Sequence, residues 1–151
     1  MATISFYKEA RLYTGASTNS RTQIKYNASA SAVWRVLLVN GYVFSAEHSL
    51  KSQITNEVTA ANYDTNGLDL QNITWTVATS GTATFDAADT QVTASSTTIT
   101  ADGAVIYYVC AKTTLAETSP YAYINFAGTA AAGDTTLMKI TWNAAGIMEL
   151  K

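Results

Sequence analysis

Ile73-Thr74-Trp75-Thr76-Val77, followed across Ser80-Gly81 by Thr82-Ala83-Thr84-Phe85-Asp86, is the stretch whose reading decides the fold. Its apolar residues fall on alternate positions, so Ile73, Trp75 and Val77 share one face and the threonines take the other. That is the period of a half-buried strand, not of a helix. Threonine is stiff at its branched β-carbon and suits a pleated, half-wet surface. Ser80-Gly81 offers the turn that converts the two runs into a hairpin.

The same pattern continues outward. Val33 to Val39 is a near-continuous apolar run broken by Arg35, long enough for one buried strand. Ala104 to Ala111 is a second such run and is predicted to be a central strand. Pro120 to Phe126 alternates Tyr121, Tyr123 and Asn125 against Ala122, Ile124 and Phe126. Thr136 to Trp142 and Ile147 to Leu150 form a last pair of strands joined by Asn143-Ala144-Ala145-Gly146, and Gly128 to Asp134 reads as a loop. The best helical candidate is Glu47 to Ile54, with Leu50 and Ile54 on one side. The expected fold is all-β: a single-domain antiparallel β-sandwich or barrel with little helix.

Composition narrows the function classes. Of 151 residues only 13% are charged against a usual ~25%, while 48% are hydrophobic. Such a chain has ample material for a core and little charged surface, which points to a homo-oligomer or a subunit of a larger assembly. The net charge is −2 and the basic residues are scattered singly, so no stripe exists to neutralise phosphates and nucleic acid is not an expected partner. No apolar run approaches the ~20 residues of a membrane span, and no secretory signal opens the chain. A protein made in a cytoplasm, with no membrane partner, is expected.

Little here resembles catalytic machinery. His48 is the single histidine and Cys110 the single cysteine. His48 lies in a polar stretch and reads as a solvated side chain; Cys110 ends an apolar run and reads as a buried, inert thiol. Asn62 to Asp69 is oxygen-rich but lacks the terminal Glu of an EF-hand loop, and Asp86 with Asp89 reads as a strand end. Phosphate-cradling glycine motifs are absent. Trp34, Trp75 and Trp142 all fall in predicted strands, where core packing is the default reading; a sugar platform requires them exposed. No enzyme activity, catalytic residue, cofactor or metal is expected.

The segment 1–32 stands apart from the domain 33–151. It interleaves Phe6, Tyr7, Tyr13 and Tyr26 with small polar residues, too polar for core and too aromatic for an idle tail. It reads as an extended N-terminal arm lying on a neighbouring subunit, with those four aromatics as partner-binding anchors. The alternative is a disordered terminus.

A further pattern lies in the order of short motifs. Trp34-Arg35-Val36-Leu37-Leu38 leads to Tyr42-Val43-Phe44-Ser45-Ala46-Glu47-His48, then Asn56-Glu57-Val58-Thr59, Asn62-Tyr63 and Gly67-Leu68-Asp69-Leu70. Phe85 to Asp89, Ala104 to Tyr108, Ser119 to Ile124, Ile140-Thr141-Trp142-Asn143 and Gly146-Ile147 follow in register. Over roughly residues 33 to 150 this resembles a family of small tailed-phage virion proteins, some of which are capsid cement (decoration) proteins. The resemblance implies a β-rich subunit on the outer capsid surface of the virion, commonly a trimer at local three-fold positions, with the major capsid protein as partner. A tail, neck or fibre component, or a carbohydrate-binding β-sandwich module, is the alternative.

Overall fold

The computed structural model describes residues 2–8, 32–77, 83–110 and 118–150. Over these the chain is all-β. Its strands are β1 (Thr3–Phe6), β2 (Ala32–Val39), β3 (Leu68–Asp69), β4 (Thr74–Val77), β5 (Ala83–Asp86), β6 (Thr90–Thr93), β7 (Ile99–Cys110), β8 (Thr118–Ala132), β9 (Leu137–Ile140) and β10 (Met148–Leu150). The main sheet has five strands in the order β1-β8-β7-β2-β3, every neighbour antiparallel. Two smaller antiparallel sheets, β10-β5-β4 and β6-β9, accompany it.

The apolar run of β2 is continuous because both of its faces are covered. Trp34, Val36 and Leu38 join one buried cluster with Ile106, Ile124, Phe85, Val92 and Met138, which ties the main sheet to the small ones. Leu37 and Val39 join a second cluster on the other face, with Tyr7, Tyr42, Ile54, Val105, Tyr107 and Tyr123. Trp34 is the hub of the first cluster, its ring centred 5.0 Å from Phe85, 5.2 Å from Tyr108 and 5.3 Å from Tyr121. The two strands of the predicted hairpin pair antiparallel, with Trp75 opposite Phe85 and ring centres 4.7 Å apart; the Ser80-Gly81 turn lies outside the described residues.

Two register shifts in the β7–β8 ladder change which residues face the core. One falls between Ala101 and Gly103, the other between Ile106 and Tyr107. The first leaves three extra residues on β8 and the second leaves one, and an odd offset reverses the alternation. Hence odd-numbered Ile99 and Ala101 and even-numbered Ala104 and Ile106 all enter the first cluster, as do the adjacent Tyr121 and Ala122. Gly103 sits under the Tyr123 ring, where an added Cβ would come within 2.7 Å of Cε2.

Three expectations are corrected. Gly128 to Asp134 is not all loop, since β8 continues to Ala132: Ala130 and Ala132 pair with Ala101 and Ile99 of β7, and this ladder holds residues of low strand propensity. The two C-terminal strands do not pair with each other; β9 lies on β6 and β10 on β5. Glu47 to Ile54 contains a 3-10 turn at Lys51–Gln53, and Leu50 and Ile54 do not share a buried side, since Ile54 is buried and Leu50 is 47% exposed. That stretch is anchored by Tyr42 and Ile54 on the sheet and has no second turn of apolar spacing to sustain a helix.

Phe85 is fully buried between Trp34 and Trp75. Phe85→Ala is expected to lower unfolding stability by about 3–5 kcal/mol through lost burial and the cavity left behind. Urea denaturation measures this, and a loss under about 1 kcal/mol would contradict the hub assignment.

Candidate assembly surface

Among the described residues, β1 is the outermost strand of the main sheet and is paired on one side only. Its register sets Thr3 opposite Asn125, Ile4 opposite Ile124, Ser5 opposite Tyr123 and Phe6 opposite Ala122. The Tyr7 N–H donates to the Tyr121 carbonyl at 3.2 Å and fixes the phase of the ladder. Odd residues therefore bond to β8, while Ile4 and Phe6 turn their N–H and C=O groups away from the sheet. Natural edge strands are usually guarded by a charge, a proline or a bulge. Ala2-Thr3-Ile4-Ser5-Phe6 has no charge or proline, and its pairing is regular.

Beside this edge runs an apolar groove of about 780 Å³. Ile4, Ile124 and Phe126 form its near wall, and Ile140, Trp142 and Ile147 its far wall. Ile4 is 41% exposed. The far wall is held by polar bonds. The Trp142 indole Nε1 donates to the Ala88 carbonyl at 3.1 Å, and its backbone N–H donates to Asp89 Oδ1 at 3.0 Å. Lys139, 2.8 Å from Asp89, and that N–H together hold the Asp89 carboxyl below its usual range. Gly146 carries the chain back toward β5 at φ +105°, where a side chain would strike Thr84, and the Ile147 N–H then donates to the Phe85 carbonyl at 2.9 Å.

The residues expected to anchor a partner divide differently. Residues 3–6 are strand β1 of the main sheet, and Tyr7 continues its ladder, so the described beginning of the segment 1–32 is integral to the domain. Tyr7 is 0% exposed: its hydroxyl lies 3.1 Å from the Tyr42 hydroxyl, which lies 2.8 Å from His48 Nδ1. It anchors its own fold and leaves nothing for a neighbour to touch. Phe6 is half-buried, edge-on to Tyr121 at 6.0 Å. Tyr13 and Tyr26 lie outside the described residues. Of the groove residues the sequence singled out Trp142, read there as core or as a sugar platform, and not Ile4, although the alternation Ile4-Ser5-Phe6 carries a strand signal.

The other chemistry-bearing groups are spoken for locally. Arg35 Nε lies 2.5 Å from Asp69 Oδ1, and with Asp64, Asp89 and Lys139 this pair borders a polar cleft of about 640 Å³. Among the described residues no group of three or more His, Cys, Asp or Glu is placed to hold a metal. Trp34 is buried, and Trp75 and Trp142 are half-buried. Cys110 ends β7, and its side chain lies outside the described residues. No helix among the described residues is long and apolar enough to cross a membrane. In comparisons with known proteins, no family model, no curated protein and no solved structure matches the chain.

Burial pushes the Tyr7 and Tyr63 phenols far above their usual range, and the Tyr42 and Tyr107 phenols upward to a lesser degree. Their folded pKa values exceed the unfolded value of ~10, so their contribution to stability is complete below that pH and is lost as pH rises above it. In an alkaline absorbance titration, a late tyrosinate fraction is expected to appear together with the loss of tertiary structure. Full ionisation near pH ~10 with the fold intact would contradict this burial.

Proposed function

We propose that this chain is a structural subunit of a tailed-phage virion, a capsid cement (decoration) protein bound to the outer shell. It bridges neighbouring copies of the major capsid protein and acts as a homo-oligomer, with the trimer as the form that the resemblance implies. It works without catalysis, cofactor, metal, nucleic acid or membrane. The observation that carries this reading is the apolar groove beside an unguarded strand edge, a surface suited to burial against another protein. The ordered motifs from Trp34 to Ile147 and the low charge of the chain support it from the sequence side.

The mechanism is added contact area. A specific interface buries about 800 Å² per partner, and contacts from one cement subunit to several capsid subunits oppose outward pressure on the shell. Trp142 is the residue best placed to anchor such a contact, because it is large, held by two hydrogen bonds and set in a groove wall.

The test is to add the purified protein to capsids that lack it. Decoration of the outer shell in electron micrographs and release of DNA at a higher temperature are expected. Trp142→Ala is expected to weaken occupancy about tenfold, the equivalent of about 1.4 kcal/mol. Absence of binding to the head, or localisation to the tail alone, would overturn the cement reading.

A further inference from the structure

We infer that the outer edge of β1 is a self-pairing site whose occupant is β1 of a second copy of this chain, added antiparallel about a two-fold axis. The inference rests on the reading of this edge as an assembly surface, names what meets it, and sets a two-fold pair in place of the trimer that the resemblance implies.

In β1 the hydrogen-bonding and apolar properties coincide on the same residues. Ile4 and Phe6 turn their main-chain groups outward, and both side chains lie on the face of the sheet that carries the first core cluster: Phe6 packs against that cluster and Ile4 lines the groove. With the two-fold axis passing at Ser5, Ile4 falls opposite Phe6 of the second copy, and the symmetry repeats the pair. Each pair exchanges two N–H···O=C bonds and places a β-branched side chain beside an aromatic one, a favoured cross-strand combination. The strand is thus complementary to itself, as an isologous contact requires. Strand addition to a free sheet edge is a general mode of recognition in which the main chain supplies affinity and alternate side chains supply selectivity.

Charge selects the occupant. Residues 2–6 are uncharged, and the charge at the groove, Lys139, is already neutralised by Asp89 at 2.8 Å. A charged peptide would find no counter-ion there, whereas the chain's own Ala2-Thr3-Ile4-Ser5-Phe6 is extended, neutral and apolar at alternate positions. The opposite edge of the sheet is guarded: β3 has two residues, and its Asp69 is tied to Arg35. Addition at β1 leaves the Trp142 wall of the groove for the shell.

The test is sedimentation of the full chain over a concentration series, together with residue-resolved amide exchange. A reversible monomer–dimer equilibrium is expected, in which the amides of Ile4 and Phe6 become protected as dimer forms. Those of Ser5 and Tyr7, already bonded to β8, are expected to be protected at every concentration. Ile4→Lys, at a position 41% exposed, is expected to weaken the dimer roughly tenfold or more. Should that variant fail to fold, the exchange pattern of the unaltered chain decides. A monomer at all concentrations, or association that leaves the Ile4 and Phe6 amides unprotected, overturns self-pairing even if capsids are decorated. A dimer with the expected protection that ignores capsids upholds self-pairing and overturns only the virion reading.

Discussion

The pairing of β7 between β2 and β8 is the constraint on which the other features depend. The middle strand of a sheet covered on both faces must bury side chains in both directions while its main chain stays fully bonded on both edges. In β7 this is achieved by Ala104 and Ile106 toward one cluster, by Val105 and Tyr107 toward the other, and by ladders on each side. Once β7 is fixed, Trp34 of β2 and Tyr121 of β8 meet over it, and their rings provide the surface on which Phe85 and Trp75 of the small sheet rest. The small sheets thus depend on the large one for their packing.

The same constraint positions the assembly surface. β8 is long enough to carry β1 along one part of its length and to meet β7 at both ends, and among the described residues β1 ends the sheet. The beginning of the chain is held at its inner end by the buried Tyr7 phenol and by the main-chain bond from Lys8 N–H to the Ala46 carbonyl at 2.8 Å. A strand fixed so firmly along one side, whose main-chain groups along the other meet none of the described residues, is an ordered template. Association then requires little further loss of conformational freedom.

Polar groups at the rim serve this rigidity. Asp89 accepts from the Trp142 N–H and pairs with Lys139, so one carboxylate holds both the indole-bearing segment and strand β9. On the opposite side of the main sheet, the Tyr7, Tyr42 and His48 groups form a chain of contacts that holds the 42–48 stretch over the sheet. The chain's one imidazole is thereby part of the fastening of β1.

Sequence alone determined the class of fold and the places of its strongest strands. The alternation in Ile73 to Val77 and the apolar runs Val33 to Val39 and Ala104 to Ala111 are local patterns, and burial on one or two faces leaves that imprint directly. Tertiary structure alone decided what the patterns could not encode. Which strand meets which is a long-range matter, so Thr136 to Trp142 and Ile147 to Leu150 look like a hairpin and yet join different sheets. Ala130 to Ala132 is strand because β7 offers it a ladder, whatever its own propensity. The register shifts near Gly103 and Tyr121 reverse the alternation, and Tyr7, aromatic in a polar setting, turns out to be core. The groove was hidden for the same reason: Ile4, Ile124 and the stretch 140–142 are separated in sequence, and only packing brings them to one edge.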